Sequence, residues 1–153
     1  IADTISSMKR LNRRAAALLG AAGVKACTDV TGFSLLGHAL EMAEAGGVRF
    51  RLALPAIPLL DRTEEAVRLK AFPGGSCRNR DHYQARVSFE PGIDELQRLV
   101  LFSPETSGGL LAAVPEERLE ALREASARDE EPLWVIGRVE EGAGVEVMRD
   151  LSL

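Results

Sequence analysis

Residues 27–38 read Cys27-Thr28-Asp29-Val30-Thr31-Gly32-Phe33-Ser34-Leu35-Leu36-Gly37-His38. One carboxylate sits among small polar residues and glycine, just ahead of a stretch with helical apolar spacing. That is poor core material, but it places a charge at a helix entrance. The run also parses the chain around it. Upstream, Val24 to Cys27 forms a short lead-in segment. Downstream, a helix is expected over 32–45, with Phe33, Leu36, Leu40 and Ala43 on one face. Thr31 is its expected N-cap and Gly46-Gly47 its stop.

Working outward, Ile5, Met8, Leu11, Ala15, Leu18 and Leu19 recur at helical spacing, with Lys9, Arg10, Arg13 and Arg14 off the stripe. An amphipathic helix is expected over 4–21, ending near Gly20 or Gly23. Val48 to Leu54 alternates Val, Phe, Leu, Leu against Arg49, Arg51 and Ala53, the pattern of a half-buried strand. Asp61 and Glu64 have capping-box spacing ahead of a short helix over 62–70. Phe72 to Tyr83, with Pro73, Gly74 and Gly75, reads as mostly loop. A short helix is expected over 94–101. Gly108-Gly109 opens a strand over 110–114, and Pro115 starts a helix carrying Leu119 and Leu122 inward. Charge-rich Glu116 to Glu131 reads as a solvated helix face. Leu133 to Val139 and Val145 to Met148 read as a closing hairpin around Gly142-Ala143-Gly144. The class is α+β: a mixed, largely antiparallel sheet covered by helices.

At 153 residues the chain reads as one domain, long enough to bury a core without staples. It is 46% hydrophobic and 27% charged, with only 5% aromatics, so the core must be mostly Leu, Val and Ala. The net charge of -4 and the scattered Lys and Arg argue against a nucleic-acid partner. No apolar run approaches the roughly 20 residues that span a bilayer, and no secretory leader pattern is present. Cys27 and Cys77 form neither a disulfide framework nor a close-spaced metal pair, so a cytoplasmic setting is expected. Together with His38 and His82, their spacing matches no usual zinc pattern. The first residue is Ile1 rather than Met, which suggests a piece of a longer chain.

Three clusters carry candidate chemistry. Asp29 admits two readings. It is either a turn acid capping backbone N–H groups, or a hard oxygen ligand for Mg²⁺ beside a phosphate. A helix N-terminus favours anionic oxygens, and Gly32 lets backbone approach them. Ser103-Pro104-Glu105-Thr106-Ser107-Gly108-Gly109-Leu110-Leu111 is either a turn before a buried strand or a small-residue loop lining a polar cleft. It lacks the ending of a phosphate-binding P-loop. Pro73-Gly74-Gly75-Ser76-Cys77-Arg78-Asn79-Arg80 is either a surface loop or a basic loop that meets a phosphate or a partner domain. His38, in the second helix, and His82, in a loop, read as structural or solvated. Neither a nucleophile elbow nor a complete phosphate cradle is visible, so the chain reads as half of an active site.

Taken together, these motifs resemble the C-terminal domain of the selenophosphate synthetases (selenide, water dikinases), in the aminoimidazole ribonucleotide synthetase superfamily. The resemblance runs through Met8…Leu11-Asn12, Ala26 to Phe33, Leu35 to His38, Pro73 to Ser76 with Asn79, Pro104 with Thr106 to Leu111, and Ile136-Gly137. It implies ATP-dependent conversion of selenide and water to selenophosphate, with AMP and phosphate as the other products. It also implies a single C-terminal domain over 1–153, working with its own N-terminal domain in a homodimer. That N-terminal domain would hold the catalytic Cys or selenocysteine, the catalytic Lys and most of the ATP site. No catalytic residue is therefore assigned in this chain. Asp29 inherits the role of an Mg²⁺ ligand. Thr31, Gly32, Thr106, Ser107, Gly108 and Gly109 are expected to line the phosphate cleft. Three residues depart from the family pattern: Ser34 for Gly, Ser76 for Thr and Ser103 for Asp. The alternatives are a related ATP-using enzyme acting on aminoimidazole ribonucleotide or thiamine monophosphate, and a non-catalytic interaction domain.

Overall fold

Strand β2 (Val48–Ala53) organises the larger sheet, because Phe50, Leu52 and Ala53 are all buried and both its edges are paired. The structure, a computed structural model, describes residues 2–152. β2 pairs antiparallel with β5 (Gly137–Glu141) and parallel with β6 (Gly144–Met148). β3 (Val87–Phe89) adds to the far side of β6, also parallel, giving the order β3-β6-β2-β5. On the outer face, Arg51 bridges the strands through Glu140 (3.5 Å) and Glu146 (2.9 Å). A second, two-stranded antiparallel sheet joins β1 (Ala26–Asp29) to β4 (Leu110–Ala113). The expected α+β class, helices covering mixed and antiparallel pairing, is observed, but the one largely antiparallel sheet is two sheets, and two of the larger sheet's three pairings are parallel.

Helix α3 (Ser34–Gly46) lies against β2 and β6. Leu36, Ala39, Leu40 and Ala43 are shut off from solvent, and they meet Phe50, Leu52, Val87, Val145 and Val147. Full burial of a leucine contributes roughly 1.5–3 kcal/mol, so Leu36 and Leu40 anchor this layer. The helix stops as expected, on Gly47 in the left-handed conformation. Its start differs. Phe33 is the N-cap with no side-chain cap bond, and the Thr31 side chain is engaged elsewhere. Phe33, expected on the buried face, is 49% exposed. Ser34 is fully buried at φ +70, a region that costs an L-residue about 1–2 kcal/mol. That is the backbone shape glycine would take freely. The serine oxygen instead accepts the Gly37 N–H at 3.4 Å.

Several other expectations are corrected. The helix expected over 4–21 is two helices, α1 (Ala2–Lys9) and α2 (Arg13–Ala21). The break falls at Asn12, whose amide reaches the Gly108 carbonyl at 3.5 Å rather than capping α2. Ala15, Leu18 and Leu19 are half-buried, whereas Ile5, Met8 and Leu11 lie on the surface. The expected helix over 62–70 is α4 (Thr63–Arg68). Its N-cap is Arg62, without a side-chain cap, and the side chain of Glu64 lies outside the described residues. The expected loop over 72–83 is helix α5 (Gly74–Tyr83), and His82 lies within it. Pro73 is extended at its N-cap, the Ser76 N–H reaches the Pro73 carbonyl, and a side chain on Gly75 would collide with Pro104. Glycine there serves close packing and not a turn. Finally, β5 and β6 are no paired hairpin. The chain crosses the end of β2 at Gly142 (φ +133) and Gly144 (φ +81), and β2 sits between them. The more apolar β2 takes both partners.

The remaining helices match their reading closely. α6 (Glu95–Leu101) begins at Asp94 with a complete capping box to Gln97. α7 (Glu116–Arg128) starts one residue after Pro115, buries Leu122 and half-buries Leu119.

A candidate phosphate-side site at the end of the small sheet

The β1–β4 ladder brings two distant motifs together. Its register sets Asp29 opposite Leu110 and Thr28 opposite Leu111. Beyond the ladder, Val30 and the glycine pair exchange backbone bonds: Val30 N–H to Gly109 O, and Gly108 N–H to Val30 O, both 3.0 Å. A side chain on Gly108 would lie 2.5 Å from the Val30 carbonyl, so only glycine permits this approach. The Thr31 carbonyl accepts the Ser34 N–H (3.1 Å) and the Glu105 N–H (2.9 Å). Val30 and Thr31 are thus tied to the 105–109 loop by main-chain bonds, and Asp29 pairs with Leu110 beside it. At Gly32 and Gly109 an added side chain would meet no other atom within 4 Å, so this edge of the loops faces open space.

Asp29 ends β1 as an exposed residue, five positions before α3 begins. Among the described residues no hydrogen bond or ion pair engages its carboxylate. The capping reading is therefore removed: Asp29 caps no helix, and its oxygens face outward. Its charge is felt by Cys27, whose thiol is pushed up chiefly by partial burial and further by Asp29. The Glu105 carboxyl also sits above the ordinary carboxylate range, because surrounding protein strips water from it even though the residue keeps some surface. Among the described residues no three His, Cys, Asp or Glu gather closely enough to hold a metal ion. One unpartnered carboxylate fits a single position on a cation such as Mg²⁺, which binds through one or two carboxylates plus phosphates and waters.

Three residues of the quoted motifs make contacts that the sequence did not foretell. Asn79, on α5, donates to the Gly32 carbonyl (2.9 Å) and the Phe102 carbonyl (3.1 Å), clamping the Thr31–Phe33 turn to the end of α6. His38 is buried, with Nε2 3.1 Å from Thr31 Oγ1 and Nδ1 3.2 Å from Glu41 Oε2. Its spacing to Glu41 was a helical signal; its link to Thr31 had none. Asn12 reaches the site through Gly108. Arg80 of the basic cluster and the nearby His82 turn elsewhere. Arg80 pairs with Asp81 (3.0 Å) and Glu95 (3.3 Å), and His82 stacks edge-on against Tyr83. Thr106 is exposed and Ser107 half-buried beside the glycine pair.

An α+β domain with this paired-loop site belongs to a known class. Residues 3–150 match the family described as AIR synthase related protein, C-terminal domain, and the chain belongs to that family. It is similar to the selenide, water dikinase of Caldanaerobacter subterraneus, 40% identical over 138 residues, covering 90% of this chain and 40% of the relative. The Geobacter metallireducens enzyme of the same name is 49% identical over 110 residues, covering 71% of this chain and 32% of the relative. That of Pseudomonas aeruginosa is 46% identical over 120 residues, covering 78% and 34%. The chain therefore spans between about a third and two-fifths of the length of these relatives. Among solved structures, the thiamine-monophosphate kinase of Stenotrophomonas maltophilia shares the fold, with a TM-score of 0.54 at 20% identity, covering 81% of this chain and 31% of that one.

Proposed function

We propose that this chain is the C-terminal domain of a selenide, water dikinase, and that the Asp29 loop forms one wall of its ATP site. The observation that carries the reading is the exposed, unpartnered Asp29 carboxylate at the meeting point of two motifs shared with that family. In the full-length enzyme a homodimer is expected. The rest of the protein would supply the Cys or selenocysteine, the catalytic Lys and most nucleotide contacts. ATP and selenide are the proposed substrates, selenophosphate, AMP and phosphate the products, and the cytoplasm the proposed setting.

Asp29 would give one oxygen to Mg²⁺, which when bound neutralises charge on the phosphates. The residues of this chain otherwise orient and enclose. Thr31, Gly32 and Thr106 to Gly109 line the cleft. The bond between Thr31 O and the Glu105 N–H and the Asn79 clamp hold that lining still. Cleft residues held still place the phosphates for transfer without reorganisation. Asp29→Asn in the full-length enzyme should lower AMP production by at least about 100-fold, the loss expected for a direct electrostatic contact to transferring phosphate. It should also raise the Mg²⁺ concentration giving half-maximal rate. Unchanged turnover and metal dependence would remove Asp29 from the site. The thiamine-monophosphate kinase likeness supports the fold and not a substrate. The Phe33 to His38 run and the Pro73-Gly74-Gly75 stretch, which resemble the dikinases with Ser34 as a departure, favour selenide over the alternatives.

A further inference from the structure

Thr31, His38 and Glu41 form a chain of contacts that the function above leaves unused. His38 and Glu41 stand one turn apart on α3, and Thr31 lies in the turn ahead of it. The imidazole side chain is only 9% exposed, with the Phe33 ring centred 5.4 Å from it. Glu41 Oε2 lies 3.2 Å from Nδ1, and Thr31 Oγ1 lies 3.1 Å from Nε2.

With a neutral ring, only one placement of the protons satisfies both contacts. An ionised carboxylate only accepts, so Nδ1 carries the ring proton and donates to Glu41. In a neutral imidazole the other nitrogen is then an acceptor. The group at Nε2 is the Thr31 hydroxyl, which must donate to it. Its proton is thereby committed, and its oxygen can offer only lone pairs to anything else.

We propose that His38 is a positioning residue that, locked by Glu41, holds the Thr31 hydroxyl as a pure hydrogen-bond acceptor within the site. This rests on the reading of the Asp29 loop as the phosphate-handling wall. A pure acceptor is matched by a water molecule, including one carried by a divalent cation. It repels a phosphate oxygen, which is itself an acceptor. Thr31 thus selects the cation's hydration side of the cleft, and phosphate oxygens are left to backbone N–H groups. The residue counted as a phosphate contact from sequence becomes a water-orienting one.

The first test reads the proton directly. The full-length protein, labelled with ¹⁵N-histidine, is examined by long-range ¹H–¹⁵N correlation at pH 8, with His38 assigned by its loss in His38→Gln. The expected result is a neutral ring protonated at Nδ1. Glu41→Gln, whose amide can also donate, should release the opposite tautomer. A parent ring protonated at Nε2, or at both nitrogens, would overturn the proposal. The second test is kinetic. Thr31→Val and His38→Leu should each lower kcat about tenfold, the worth of one oriented hydrogen bond, with KM for ATP little changed. His38→Gln, whose amide oxygen can accept from Thr31, should recover most of that loss. Thr31→Val within twofold of the parent, alongside an inactive Asp29→Asn, would sink the relay and leave the site standing. An active Asp29→Asn would sink the site instead, and the histidine spectrum would still judge the relay.

Discussion

Asp29 has a neighbour that reports on its charge. Cys27 lies two residues away on β1, and its thiol is raised above 9.0 first by partial burial and then by the Asp29 carboxylate. A raised thiol has less thiolate at any pH below its midpoint, so Cys27 should alkylate slowly for an exposed cysteine. Removing the negative charge lowers the midpoint. In a Cys77→Ser background, Asp29→Asn should shift the pH profile of Cys27 alkylation to lower pH and speed the reaction at pH 7.5. Overlapping profiles would mean that the two side chains do not interact. Ser34 shows the same dependence on one atom's surroundings. It holds a glycine-like backbone because its hydroxyl, buried with it, caps the Gly37 N–H. The departure from glycine noted in the sequence is thus compensated locally.

At the scale of elements, α5 decides whether the site is held together. Its Asn79 side chain bridges two other segments, donating to Gly32 O and Phe102 O. Each such bond contributes about 0.5–1.5 kcal/mol, so Asn79→Ala should cost about 1–2 kcal/mol in urea unfolding, with turnover reduced. Asn79→Asp is the sharper variant. It keeps size and shape but turns the donor into an acceptor facing two carbonyls, so it should cost at least as much as alanine. Stability equal to the parent would remove the clamp. The helix was hidden because Pro73, Gly74 and Gly75 are turn formers by local preference. They serve here as an extended N-cap and a close contact to Pro104, and a contact some thirty residues away carries no local signal.

For the whole molecule, the surface records what the chain does not enclose by itself. Ile5 and Met8 on α1 and Leu11 in the break before α2 remain exposed, as does Phe33 beside the site. Among the described residues the Asp29 carboxylate is exposed without a protein partner, and no His, Cys, Asp or Glu cluster closes a metal site. The 153-residue chain made alone should therefore unfold cooperatively but yield no AMP from ATP and selenide at rates measurable above background. Sustained AMP formation by the purified chain would show that the site is complete without further protein.

The sequence alone determined the class, the positions of α3, α6, α7, β2 and β4, and the pair of motifs at Asp29 and Gly108-Gly109. All of these rest on local period, caps and glycine placement, which short stretches encode. It left Asp29 open between cap and ligand. Only the tertiary structure removed the cap, by starting α3 at Ser34 and leaving the carboxylate without a partner among the described residues. Tertiary contacts also split the first helix at Asn12, seated β2 between β5 and β6, and joined His38 to Thr31. Each depends on a partner far along the chain or across a turn, and hydrophobic period and local propensity say nothing of such a partner.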